Sequence, residues 1–413
     1  MQLKINYIYV DTNDYILKII EEMEVLMILE GEFPIDERVE KEALTLIDAG
    51  FVVDIFALSF SKKDQFQNYK GISVFSPYMP KLIYKFSPAI LVFPLYYWFR
   101  RWQVCKILKI KSYSYIHVHD LPMSKLGYWL QRKCKGKLVC DQHEFYSNWI
   151  GRTAHMQTIS GKVIGRLGNW SKFERKFLQK ADLIITVSQN LRTLYIDLHN
   201  IDENKIISIP NTPLRKEVSK IVIDNAIIEK YKNRFVIFYG GMIDILRGID
   251  LVIKSIPYVL DEIPDILILL AGRIRRNCDP IKLALELGVT NHVEYVGVLK
   301  PEELISYMAA SKICFAASPA DSIEVNNSIS TKIYQYIYAQ KPVLVGRAKM
   351  MKDFVLKYNL GLSANEKDPV DIANTIIRMK NQLSGFSFEV PEEEMYWEHT
   401  SKEMVVKYLE LAD

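Results

Sequence analysis

Short apolar runs, each about the length of a buried strand, recur through both halves of this chain. Most are followed by a glycine or a polar residue. In the first half they are Val25–Leu29, Val52–Leu58, Tyr115–His119, Lys137–Cys140 and Leu183–Val187, with helical patterning between several of them, as in Arg38–Ala49. In the second half they are Phe235–Tyr239, Ile266–Ala271, His292–Val296, Ile313–Ala316 and Pro342–Val345. Strands that are apolar throughout are covered on both faces, which is the grammar of a parallel sheet flanked by helices. The stiff, turn-prone segment Ile209-Pro210-Asn211-Thr212-Pro213 separates the two sets. We therefore expect an α/β protein of two domains, and 413 residues suit two such units. Two domains leave a cleft, and ligands of open α/β sheets bind beyond the carboxyl ends of the strands.

Hydrophobic residues make up 49% and charged residues 25%, enough for full cores. The five cysteines show no paired metal spacing, and Cys140 and Cys314 lie in apolar runs, so a reducing cytoplasm is the simplest setting. Met1 opens no signal peptide, because Asp11, Asp14 and Glu21-Glu22 interrupt any apolar core; export is not expected.

The loops after the second-half strands carry the chemistry. The stretch 315–345 reads as a buried strand, a polar loop, a helix capped by Ser330 or Thr331, and a second strand after Lys341-Pro342. Free backbone N–H groups at such a helix start, with the helix dipole, favour a phosphate. Strand Phe235–Tyr239 runs into Gly240-Gly241, and Arg247-Gly248 opens a helix six residues later, a candidate pyrophosphate cradle. Gly272-Arg273 and Gly297 end the next two strands at the same edge.

In this order, Gly240-Gly241, Arg247-Gly248, Gly272, Val296-Gly297, Lys332-Ile333-Tyr334-Gln335-Tyr336 and Lys341-Pro342-Val343 resemble the carboxyl-terminal half of family 4-type glycosyltransferases of GT-B fold. Asp36-Glu37-Arg38-Val39, Ile116-His117-Val118-His119-Asp120, Cys140-Asp141-Gln142-His143-Glu144, Ala181–Ser188 and Ile209-Pro210-Asn211 agree in the first half, so the resemblance spans about residues 24–410. It implies two Rossmann-like domains facing across a cleft. An acceptor-side domain would cover 1–213, with 1–23 as an extension. A nucleotide-sugar-binding domain would cover 214–393, and a helix over 394–413, carrying Trp397 and Tyr408, would cross back to the first domain.

The family implies transfer of a sugar from a nucleotide-diphosphate donor to a glycan or lipid-linked acceptor, with retention, without a bound metal and with no other cofactor. The reaction needs a stabilised diphosphate leaving group and a stabilised oxocarbenium ion. By position, Arg247 and Lys332 would neutralise the diphosphate. The donor would be held by Gly240, Gly241, Gly272, Arg273, Gly297, Asn327, Ser328, Ile329, Ser330, Thr331 and Gln335. His143 would meet the donor sugar, and His119, Asp120 and Glu144 are acceptor-side candidates. A zinc site at His117, His119 and His143 is not expected, since no carboxylate-supported helix motif accompanies them.

Two departures qualify the resemblance. An acidic pair eight positions apart is replaced by Asn327 and Gln335, and Met242 stands where an arginine is common. Amides still hydrogen-bond sugar hydroxyls but lend less to a positive transition state. A catalytically weak homologue that binds a nucleotide sugar or a partner is therefore the alternative. An epimerase or hydrolase on the same fold would call for acids around the donor, which are missing.

Residues 87–99 are apolar and aromatic, and Arg100-Arg101-Trp102 follows. The run is too short to span a bilayer, which takes about 20 residues. From Lys81 to Lys137 there are twelve Lys or Arg and one acid, Asp120, while the whole chain is only +4. The segment 87–111 thus suits an anionic membrane surface, in surface polysaccharide or glycolipid assembly at the inner face. No nucleic-acid motif accompanies the basic tract.

Overall fold

The computed structural model describes residues 23–109, 111–150, 158, 168–215, 223–275, 278–321 and 323–412. The chain divides into two compact units. The first runs to Asn211 and takes in the segment from Thr400 onward, and the second spans Thr212–His399.

The first unit is built on eight strands: β1 Glu24–Ile28, β2 Val52–Phe56, β3 Gln65–Tyr69, β4 Ile72–Ser76, β5 Tyr115–His119, β6 Lys137–Gln142, β7 Leu183–Thr186 and β8 Ile206–Ser208. Their order is β3-β4-β2-β1-β5-β6-β7-β8, parallel except for the edge strand β3, which pairs antiparallel with β4. Every residue of β5 is buried, and so is every residue of β6 but the first, as continuous apolar runs covered on both faces require. The principal helices are α1 Glu37–Asp48, α2 Leu95–Leu108, α3 Ser124–Cys134 and α4 Trp170–Leu178. Asp36 starts α1 by accepting from the backbone N–H groups of Arg38 and Val39.

The second unit holds β9 Phe235–Gly240, β10 Ile266–Ala271, β11 Val293–Tyr295, β12 Ile313–Ala316, β13 Val343–Val345 and β14 Gly361–Ser363, all parallel in the order β11-β10-β9-β12-β13-β14. The helices that matter for the site are α5 Ile249–Ser255 and α6 Thr331–Tyr338. Two parallel sheets with helical crossovers make this a two-domain Rossmann-like GT-B fold.

The hairpin β3–β4 and the short strands β8 and β14 were not legible in the sequence. Gln65–Tyr69 is polar and largely exposed, and β8 and β14 are three-residue strands that each end in a serine, Ser208 and Ser363. Residues 394–413 are not one helix. Short helices Glu392–Met395 and Trp397–Thr400 precede the last helix, α7 Lys402–Ala412, because Tyr396 is extended and interrupts the run. Trp397 N–H donates to Pro213 O within the second unit, whereas Tyr408 of α7 packs in the first, its ring beside Tyr115 and Phe51.

Candidate active site

In the second unit the carboxyl edge of the sheet is drawn together by glycines. Gly241 and Gly272 have φ of 141° and 131°, and a Cβ on Gly272 would stand 1.7 Å from the carbonyl oxygen of Gly241. A Cβ on Gly241 would stand 2.3 Å from Cε of Lys332, so the loop lies directly against that side chain. Gly241 N–H donates to Ala271 O, and Gly272 N–H to Gly297 O, at 2.8 and 2.7 Å. Asp244 caps a single turn, Ile245–Arg247, and presents Arg247 exposed just before α5.

Lys332 is the second residue of α6 and half-buried, with Nζ 5.4 Å from the centre of the Tyr239 ring. Burial, with the nearby charge of Arg247, brings its pKa down to about 8. Among the described residues, no carboxylate lies within ion-pair distance of Lys332 or Arg247. Two converging cations, one partly desolvated and neither paired, make a site that an anion would complete.

The other donor-side candidates distribute around this pair. Asn327, Ser328, Ile329 and Ser330 are half-buried in the loop before α6, where Ser330 is the N-cap without a side-chain capping bond and Thr331 is exposed. Gln335 lies three residues after Lys332, on the same helix face. Arg273 is exposed, and its carbonyl accepts from Ile243 N–H. Sequence reasoning missed Glu366, which is buried and accepts from the backbone N–H groups of Ala320 and Arg347, tying together the loops after β12 and β13.

In the first unit, β6 delivers Asp141 and His143 to one edge. His143 Nε2 lies 2.5 Å from Asp141 Oδ2, and His119 Nδ1 is 3.2 Å from the same oxygen. Arg38 from α1 grips Asp141 with two nitrogens, Nη2 to Oδ1 at 2.9 Å and Nε to Oδ2 at 3.2 Å. It also pairs with Glu42 at 2.9 Å and donates to Ile209 O. Behind them His117 faces Glu42 at 3.4 Å, and its Nδ1 meets the Tyr408 hydroxyl at 2.7 Å. Burial opposes a charge on His143, but Asp141 and Asp120 outweigh it and lift its pKa to about 10, so the ring is an imidazolium at neutral pH. Glu42 is pushed up to about 7 by burial and by the charge of Asp141.

His143 is partly exposed, 19% of its side chain, and Asp120 stands beside it at 3.8 Å. His119, of the acceptor-side set, is wholly buried against Asp141, because alternation along β5 turns it the same way as His117 and the two rings stack at 4.4 Å. Glu144 is half-buried. Glu42, His117, His119 and Asp141 place ligand-type atoms within 4.8 Å of one another, a convergence the sequence did not reveal since two members come from other elements. Arg38 sits among them, paired with both carboxylates.

Arg100, expected as a surface cation, is instead fully buried and donates to Ala57 O at 2.9 Å and Leu29 O at 3.4 Å. Close by, burial pushes Glu30 up to about 7 even against the charge of Arg100.

The two Rossmann-like units define a GT-B fold. Residues 38–212 match the profile of Glycosyltransferase Family 4, and residues 223–384 that of Glycosyl transferases group 1. The chain belongs to the family 4-type glycosyltransferases of GT-B fold. Sucrose-phosphate synthase from Thermosynechococcus elongatus superposes with a TM-score of 0.72 at 16% identity, covering 95% of this chain and 99% of that one. A UDP-forming α,α-trehalose-phosphate synthase from Burkholderia xenovorans gives 0.69 at 12% identity, with 95% and 100% covered. Anabaena HepE in complex with UDP-glucose gives 0.59 at 16%, with 95% and 98% covered. Among curated proteins no match was found.

Proposed function

We propose that this glycosyltransferase moves a sugar from a nucleotide-diphosphate donor to a glycan or lipid-linked acceptor, with retention and without a metal. The observation that carries the reading is the unpaired cation pair Arg247 and Lys332, set against a glycine-lined backbone. In this reading Arg247 donates bidentately to the diphosphate and Lys332 adds a second charge, so the protein supplies the positive charge a metal would otherwise bring. The loop 327–331 holds the donor with backbone N–H groups and hydroxyls, and Asn327 and Gln335 meet sugar or ribose hydroxyls. His143, cationic and fixed by Asp141, donates to a hydroxyl of the sugar, with Asp120 and Glu144 on the acceptor side. Surface polysaccharide or glycolipid assembly at the cytoplasmic face of a membrane is the setting we propose. Among the described residues no helix is long and apolar enough to cross one.

HepE was solved with UDP-glucose, so uridine nucleotides are the first donors to test. Thermal unfolding is followed with UDP, GDP, ADP, TDP and their sugars. A ligand at about 100 times its dissociation constant adds roughly 2.7 kcal/mol, a clear rise in melting temperature. If no nucleotide stabilises the protein, the donor reading falls. The amides at 327 and 335 and the exposed thioether of Met242 favour a second reading, a nucleotide-sugar-binding homologue of weak activity. Binding without transfer to any glycan or lipid acceptor, and without donor hydrolysis, would select it.

A further inference from the structure

We propose that the side of the first unit formed by α2, α3 and α4 docks on an anionic lipid surface, and that a shallow, open depression lined by Tyr128, Gln131, Arg132, Lys135, Gly136 and Lys180 seats one of its phosphate headgroups. The inference rests on the peripheral-membrane part of the proposed function and extends it from the segment 87–111 to a surface of three helices.

Helix α2 has two unlike faces. Tyr96, Tyr97, Arg100, Gln103, Val104 and Ile107 are buried, whereas Leu95, Trp98 and Trp102 are 50%, 64% and 58% exposed, with Phe93 just ahead at 55%. Positions 95, 98 and 102 share one helix face. Indoles left in water at this density, beside basic residues, suit the interfacial zone of a bilayer, where the ring body is apolar and its N–H is hydrated.

Cations and rings stitch this side together. The Arg101 guanidinium lies 4.1 Å from the Trp129 ring of α3, and Lys125 Nζ 4.6 Å from the Tyr97 ring of α2. At the other flank of α3, Lys180 lies 4.5 Å from the Tyr128 ring and 3.4 Å from its hydroxyl. Lys180 and Arg132 draw the Tyr128 hydroxyl below its ordinary pKa, as a positive local potential must. Among the described residues, Arg101, Arg132, Lys135 and Lys180 have no carboxylate within ion-pair distance. The depression lies at the amino end of β6, which begins at Lys137, whereas His143 follows its carboxyl end, so a bound headgroup leaves the candidate active site free. Charge complementarity commits the occupant to phosphate, and the exposed tryptophans commit its source to a lipid.

The test uses the whole protein with vesicles of phosphatidylglycerol in phosphatidylcholine and of phosphatidylcholine alone. Co-sedimentation is read beside amine-reactive footprinting of Lys135 and Lys180 by mass spectrometry. Binding to the anionic vesicles alone, with both lysines protected, is expected. Trp98→Ser with Trp102→Ser should weaken partitioning more than tenfold. Arg132→Gln with Lys180→Gln should weaken it about thirty-fold, from roughly 1 kcal/mol per basic residue at the surface. The exposed pair Lys62→Gln with Lys63→Gln serves as the charge-matched control and should change it far less. Equal loss in the control would overturn the headgroup site. Protection of Lys180 by millimolar inorganic phosphate without vesicles would overturn the lipid source and leave a free-phosphate site. Absence of both vesicle binding and protection would overturn the whole inference. UDP-induced melting shifts on the same preparations separate that failure from failure of the donor reading.

Discussion

The two units handle charge in opposite ways. In the first, each cation at the candidate site has its counter-charge inside the fold: Arg38 holds Asp141 and Glu42, and His143 holds Asp141. In the second, neither Arg247 nor the half-buried Lys332 has a carboxylate within ion-pair distance among the described residues, and burial with the nearby charge of Arg247 depresses the Lys332 pKa. A closed network spends its electrostatics on fixing geometry, while an open one holds them for a ligand. On the function proposed above, the first unit positions a neutral group such as a sugar and the second receives an anion.

Four perturbations break or sharpen that contrast. The largest effect is expected at Asp141. Asp141→Ala leaves Arg38 only Glu42 and Ile209 O, and His143 only the more distant Asp120, and removing one member of a buried pair costs about 3–5 kcal/mol. Denaturant unfolding should show this loss; an unchanged midpoint would mean that the network is not closed.

Arg247→Ala should do the reverse. Turnover of the donor identified by the nucleotide screen should fall about 10²-fold, with the melting temperature of the free protein preserved, since the side chain is exposed. Lower stability with unchanged turnover would invert the assignment of the two units.

The third effect is one of pH. Lys332 titrates near 8 when folded and near 10.5 when unfolded, so between those values the unfolded chain binds more protons and stability rises with pH. His143 has the opposite sign: raised to about 10, its contribution is fully present below pH 6.5 and is lost as pH climbs through 10. Lys332→Ala should abolish the rise in melting temperature above pH 8 and leave the fall. For the intact protein, nucleotide affinity by calorimetry should weaken above pH 8 as the ammonium discharges, and a flat profile would remove Lys332 from the anion site.

The smallest effect is expected at Asn327→Glu and Gln335→Glu. A carboxylate in place of either amide should shift donor affinity by about tenfold or more, on the scale of about 1.5–3 kcal/mol for a hydrogen bond to a charged group. Affinity unaltered at both positions would place the donor elsewhere.

Most of the parallel strands could be read from sequence, because burial on both faces leaves an unbroken apolar run that no polar surface interrupts. The glycines that close the second unit's edge were legible for a related reason: Gly241 and Gly272 adopt conformations that other residues rarely do, so such a backbone turn advertises itself in composition. Arg247 and Lys332 could be picked out by place in that pattern, but the absence of an ion-pairing carboxylate at either among the described residues could not.

The first unit was harder to read, since its partners are far apart in the chain. Arg38 meets Asp141 across 103 residues, and Tyr408 meets His117 across 291. Nothing in Asp36-Glu37-Arg38-Val39 says that the guanidinium turns inward. Likewise, Arg100 and Arg101 are neighbours of identical chemistry, yet one is buried against the carbonyls that follow β1 and β2 and the other lies over Trp129. Local sequence determined the alternation of strands and helices and where the backbone must bend, because those depend on side-chain period and on φ. Which charges are quenched and which stay open was decided only by the tertiary structure, since a counter-charge acts over a few ångströms whatever its distance along the chain.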